Sequence, residues 1–187
     1  MSIKWKNVEL IDVKKGVGEK EANFLYSCYQ DYRARNLFTN DMYVKSMNTF
    51  INKMEKNMIY KYDDFMLIKS ESSKEIVGFI YTYGHKANDG NIKVTMYIEP
   101  NKRNSIYGAQ GSLAFFDYLF NKYSIRKVYC NVYSYNEASS KILEGLNFKL
   151  EGRLKKHRYF DNDYYDVLIY ALYKNDFNKL KERFNKK

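Results

Sequence analysis

Between Tyr97 and Phe148 the chain strings together residues able to bind an anion and present a small polar group beside it. The first cluster is the run Arg103-Asn104-Ser105-Ile106-Tyr107-Gly108-Ala109, which follows an apolar strand pattern and opens a helical one. A helix N-terminus carries backbone N–H groups with no intrahelical partner and the positive end of the peptide dipoles, a donor set suited to a phosphate. Gly108 serves either a close anion or close packing of the helix itself. Lys102 and Arg103 can neutralise a phosphate, although Lys102 also reads as an ordinary surface lysine. Ile106 can still donate its N–H if it keeps a negative φ, because donation needs the backbone and not a missing side chain. About thirty residues on, Asn136 stands where a helix starts and can satisfy the free N–H groups there. Ser139 follows one turn later on the same helix.

These residues need a frame. Val8–Val13 alternates as a strand, bounded by Gly16 and Gly18. A helix follows from Glu19 to about Asn36, with Phe24, Leu25, Cys28, Tyr29 and Tyr32 on one stripe. Asp41 can cap a second, striped by Tyr43, Met47, Phe50, Ile51, Met54 and Met58. Phe65–Lys69 and Ile76–Tyr83 read as strands, and Asn88-Asp89-Gly90-Asn91 as a hairpin turn into a strand, Ile92–Ile98, that Pro100 ends. Then come a helix from Gly108 to Tyr123, an apolar strand at Lys127–Tyr133, a helix from Asn136 to Gly145, and strands at Phe148–Leu150 and Tyr164–Tyr173. A last helix is capped by Asn175 or Asp176 and turns Phe177, Leu180 and Phe184 inward. The order predicts an α/β (α+β) fold: a mixed sheet of about 6–7 strands, antiparallel hairpins leading into parallel strands joined by a crossover helix, with helices on both faces. No repeat or linker composition interrupts it, so residues 1–187 read as one domain.

Composition narrows the partners. With 187 residues and 45% hydrophobic side chains the chain should fold around a real core. No apolar run approaches the ~18 residues of a membrane span, and the first residues lack the apolar centre of a signal peptide, so no membrane is expected and the cytoplasm is the default. Cys28 and Cys130 lie in helical and apolar patterns and read as reduced core thiols. With His85 and His157 the only histidines, a Cys/His metal site is not expected. The net charge of +10 could draw nucleic acid, but the lysines are spread along the chain and only seven arginines are present, which argues against it. Abundant Lys, Asn, Tyr and Ile also match the codon bias of an AT-rich genome.

Motif order brings a family into view. Arg103 and Gly108 match the pattern [RQ]-x-x-G-x-[GA], with Ile106 in place of its first glycine. Asn136, Ser139, Ile142, Glu144 and Phe148 match N-x-x-[AS]-x-x-[LI]-x-E-K-x-G-F, with Asn147 in place of the glycine, and Glu151-Gly152-Arg153 continues it. From Ile76 to Phe177 the chain resembles the cofactor half of a GCN5-related N-acetyltransferase (GNAT), nearest the RimJ/RimL-like branch. The resemblance implies a GNAT-type, mostly antiparallel sheet and acetyl-CoA as cofactor. It implies pyrophosphate binding by Arg103, Asn104, Ser105, Ile106, Tyr107, Gly108 and Ala109, and a backbone N–H near Tyr97 and Ile98 for the acetyl carbonyl oxygen. It also implies Asn136 on the pantetheine arm. Ser139 either protonates the departing thiolate or simply leaves room for the cofactor; the tyrosine that many members use is Leu143 here.

An amine must lose a proton to attack, and Glu99, Tyr97 through water, His85, His157 or a water chain can take it. By resemblance the acceptor is a primary amine, on a small molecule (amino sugar, antibiotic or polyamine) or at a protein N-terminus, attacked directly in a ternary complex by a monomer or homodimer. The first two helices would flank it, their aromatic and Met stripes serving as core or as pocket wall. Two other readings stay open: a non-catalytic acyl-CoA-binding module, and an RNA- or ribosome-binding protein.

Overall fold

The computed structural model describes residues 2–38, 44–103 and 105–185. Eight strands and six α-helices follow one another as β1 (Ser2–Trp5), β2 (Val8–Asp12), α1 (Glu19–Gln30), α2 (Tyr32–Phe38), α3 (Met47–Tyr60), β3 (Tyr62–Ser70), β4 (Ile76–Lys86), β5 (Asn91–Ile98), α4 (Ile106–Lys122), β6 (Lys127–Tyr133), α5 (Glu137–Gly145), β7 (Lys149–Phe160), β8 (Asp163–Tyr173) and α6 (Lys174–Asn185). The chain divides into two compact units, Met1–Gly84 with Thr95–Phe115, and His85–Val94 with Phe116–Lys187.

In the first unit β1 pairs antiparallel with β2, β2 with β3 and β3 with β4, and β5 lies next to β4. Alternation along β3 sends neighbouring side chains to opposite faces. Phe65 and Leu67 join Leu25, Cys28 and Tyr29 of α1, Phe38 of α2 and Phe50 and Met54 of α3 in one buried cluster. Ile68 faces the other way, against Gly111 of α4, where an added Cβ would come within 3.1 Å of Ile68 Cδ1. Helices therefore cover both faces, as the element order predicts. The hairpin from β1 into β2 was not foreseen; Lys6 turns it at φ 49°. The single helix expected to about Asn36 is two, because Asp31 at φ −68°, ψ 113° leaves the helical region and its carboxylate accepts from Ala34 N–H. Ser46, not Asp41, caps α3 by accepting from Thr49 N–H; Asp41 and Tyr43 lie outside the described residues.

In the second unit the start of β5 pairs in parallel with β6 at Asn91, Ile92 and Lys93. β6 pairs antiparallel with β8, and β8 with β7. Gly90, at φ 64°, turns the expected hairpin into β5. Phe177 of α6 packs on Phe116 and Phe120 of α4. α6 begins at Lys174, so Asn175 and Asp176 are inside it. The short strand expected at Phe148–Leu150 is the head of a twelve-residue strand.

Candidate functional site

β5 ends under tight backbone constraint. A Cβ on Gly78 of β4 would stand 2.2 Å from the Tyr97 carbonyl oxygen, so only glycine lets the strands approach there. Glu99 N–H donates to Val77 O at 2.9 Å. Since successive peptide groups alternate in direction along a strand, the Ile98 N–H between them points away from β4. That is a backbone donor held in place by pairing on its other side. The Ile98 carbonyl points the same way and accepts from Arg103 Nε at 3.0 Å, which folds the turn back onto β5. The Arg103 guanidinium lies 5.6 Å from the centre of the Tyr97 ring.

The turn delivers the chain to α4. Ser105 is its cap: the hydroxyl donates to Lys102 O and accepts from Tyr107 N–H. Ile106 is the first helical residue and is half exposed, and it keeps an ordinary negative φ. Tyr107 turns its ring inward and its hydroxyl donates to Ser70 Oγ at 3.2 Å, so only its backbone faces the turn. A Cβ at Gly108 would meet Ile98 Cγ1 at 3.6 Å and Met96 Cε at 3.9 Å, ordinary contacts. The protein's own packing therefore does not demand glycine at 108, whereas at 111 a Cβ would make Ile68 shift by a few tenths of an ångström. The N–H groups of the first turn of α4, with the helix dipole behind them, are a donor set of the kind that suits an anion. Ala109 is half-buried in the same turn. Asn104 lies outside the described residues. Lys102 is drawn to Glu75, its Nζ donating to Oε2 at 3.1 Å, so its charge is spent locally.

Tyr97 belongs to the core: it is 5% exposed, stacked on Phe79 with centroids 5.2 Å apart and packed edge-on against Phe38. Burial pushes its phenol up to about 12. Burial likewise pushes Cys28 up to about 12, the behaviour of an inert core thiol. Glu99 is half-buried at the strand end.

In the second unit Asn136 caps α5 by accepting from Ser139 N–H at 3.4 Å. The cap uses the amide oxygen and leaves the NH2 end as donor. Ser139 is half-buried one turn along. Asn147, where a glycine was expected, takes φ 65°. Phe148 N–H donates to Leu143 O and Asn147 N–H to Glu144 O, the paired bonds of a Schellman ending, which asparagine tolerates. Leu143 is half-buried, and Glu144 accepts from the Tyr170 hydroxyl at 2.8 Å.

Both histidines lie in strands. His85 stands in β4 beside the turn at 87–90 with its ring 4.7 Å from that of Tyr123. His157 lies exposed within β7, which runs on to Phe160, past the short strand expected at Phe148–Leu150.

A family model described as an acetyltransferase (GNAT) domain matches residues 16–169. The SPbeta prophage-derived N-acetyltransferase YokL of Bacillus subtilis is 28% identical over 115 residues; the match spans 62% of this chain and 65% of that protein, less than two thirds of its length. Among solved structures, a spermidine N-acetyltransferase from Vibrio cholerae in complex with CoA and spermine superposes with TM-score 0.80 at 13% identity, covering 92% of this chain and 99% of that one. RimL, the ribosomal L7/L12 alpha-N-protein acetyltransferase in complex with coenzyme A, superposes with TM-score 0.78 at 18% identity, covering 92% of this chain and 98% of that one. At these identities the likeness speaks for the fold.

Proposed function

The chain belongs to the GNAT acetyltransferase family, whose cofactor is acetyl-CoA, and from that premise we propose that residues 1–187 act as one acetyltransferase domain that acetylates a primary amine by direct attack. The observation that carries this reading is the turn into α4, where free backbone donors meet a glycine whose missing side chain the protein's own packing does not require. Arg103, Ser105, Ile106, Tyr107, Gly108 and Ala109, with Asn104, hold the pyrophosphate, mainly through backbone N–H groups. The Ile98 N–H, fixed by the pairing of its neighbours, donates to the acetyl carbonyl oxygen, where such a donor gains most as negative charge develops. The NH2 end of Asn136 donates to the pantetheine arm. Ser139, one turn on, protonates the departing thiolate or leaves room for the cofactor. Acetyl-CoA supplies the acetyl group and a good leaving group, so no strong acid is needed.

Glu99, half-buried at the end of β5, takes the amine's proton, with Tyr97 through water or a water chain to solvent as the other routes. The acceptor is a small amine or a protein N-terminus, and the sequence motifs resemble those of the RimJ/RimL-like branch. Leu143, in place of a proton-donating tyrosine, favours one alternative, an acyl-CoA-binding module without turnover.

Thermal unfolding with and without CoA tests the cofactor claim. At a CoA concentration near 100 times its dissociation constant, linkage stabilises the fold by about 2.7 kcal/mol. A melt unmoved by millimolar CoA contradicts the reading.

A further inference from the structure

β7 and β8 lose register in one place. Leu154 pairs with Val167 and Arg158 with Tyr165, so three residues of β7, Lys155, Lys156 and His157, oppose the single Asp166. Such bulges bend a strand and re-aim its side chains. This one holds Lys156 at φ 48°, a left-handed conformation unfavourable for lysine. Asp166 holds it from two directions. Its Oδ1 accepts from Lys156 N–H at 2.8 Å, and its Oδ2 pairs with Arg153 Nε at 2.7 Å.

The backbone of the same residue reaches the turn that presents Asn136. Ser134 N–H donates to Asp166 O at 2.9 Å, and Asp166 N–H donates to Ser134 Oγ at 3.1 Å. Asn136 N–H in turn donates to Tyr133 O at 2.8 Å, so only one residue, Tyr135, separates this clasp from the cap. The Tyr135 ring packs against Phe160 and Tyr165, which flank the bulge on the two strands.

We propose that Asp166 is a positioning residue for acetyl transfer: it fastens the β7 bulge to the Ser134–Asn136 turn, so the register of the hairpin sets where the Asn136 amide stands. This rests on the reading of Asn136 as a cofactor contact. Asp166 acts through Asn136 and touches no reacting group. The Arg153 pair contributes little, because Arg153 is 56% exposed; the bond to Lys156 N–H is the part that matters. Asparagine can make that bond with its carbonyl oxygen, and alanine cannot.

Backbone preference provides the test. Asp166→Asn should keep near-wild-type kinetics, whereas Asp166→Ala should raise the acetyl-CoA KM about tenfold with a smaller change in kcat. Glycine accepts positive φ without strain, so adding Lys156→Gly to Asp166→Ala should recover most of the loss. Amide hydrogen exchange across residues 134–140, measured without cofactor, should speed up in Asp166→Ala and slow again in the double variant. A general loss of folding would lower the apparent kcat through the folded fraction and leave KM unchanged, and circular dichroism of each variant reports it. Asp166→Ala with unchanged KM and unchanged exchange overturns the proposal, as does a double variant no better than the single. Wild-type protein that binds no CoA instead overturns the function on which the proposal rests, and the exchange measurement still decides whether Asp166 fastens the turn.

Discussion

Two glycines one turn apart in α4 meet different surroundings. A Cβ on Gly111 would lie 3.1 Å from Ile68 Cδ1, a tight contact that makes a buried side chain shift, while Gly108 faces only ordinary contacts at 3.6 Å and beyond. Gly111→Ala should therefore destabilise the protein by about 1–3 kcal/mol in urea unfolding through overpacking. Gly108→Ala should be neutral or stabilising by up to about 1 kcal/mol, since glycine is the poorer helix former. Gly108→Val should weaken CoA binding about tenfold, 1.4 kcal/mol, with the far-UV spectrum retained. Equal stability losses at both positions, with CoA affinity intact at 108, would assign Gly108 to packing as well. At this scale the motif residues were legible in sequence, and the Schellman ending explains why Asn147 can stand for glycine. The core placement of Tyr97 was not legible: the same alternation that puts its backbone at the strand end puts its ring among Phe38 and Phe79, and only the packed helices reveal which face is inside.

The strands of the second unit are locked by a buried charge. Lys127 of β6 is 5% exposed, its Nζ 2.6 Å from Glu151 Oε2 of β7, with the hydroxyls of Tyr129 and Tyr173 donating to the same carboxylate at 2.8 and 2.5 Å. Both aromatic faces also meet the ammonium, at 4.5 and 5.2 Å from the ring centres. Burial disfavours the Glu151 charge, but the hydrogen bonds from Lys127, Tyr173 and Tyr129 outweigh it and hold the carboxyl down at about 2. A carboxyl whose pKa falls on folding stabilises the native state above its unfolded value, and the benefit is lost as pH falls. Stability should thus decline between about pH 4.5 and pH 2, and Glu151→Gln should flatten that limb in denaturant titrations across the range. Glu151→Ala strands a buried ammonium and should cost about 3 kcal/mol at neutral pH. An acid limb unchanged by Glu151→Gln would assign it to other carboxylates.

The same hairpin shows where sequence reading stopped at the level of elements. The residues Asp161 and Asn162 turn it at φ 50° and 62°, a two-residue loop whose Asx pair was visible, but β7 before it is too polar to read as a strand because it is exposed along nearly its whole length. Helix α1 ends at Asp31, whose carboxylate accepts from Ala34 N–H at the start of α2, a local cap that periodicity does not show.

At the scale of the whole molecule the element order, the mixed sheet and the family were readable, because patterning and motif spacing survive where identity to solved relatives has dropped to 13–18%. The acceptor was not, since nothing in α1 or α3 distinguishes pocket wall from core by residue type: Phe50 and Met54, given either role, are buried in the cluster. The central claim is turnover, and release of free thiol from acetyl-CoA measures it directly. Wild-type protein should release thiol in proportion to enzyme and to amine across a panel of amino sugars, polyamines and peptides with free N-termini, with at least one class well above the rate of hydrolysis alone. Tight binding of acetyl-CoA with no amine-dependent thiol release from any class would contradict the account and leave an acyl-CoA-binding module in its place.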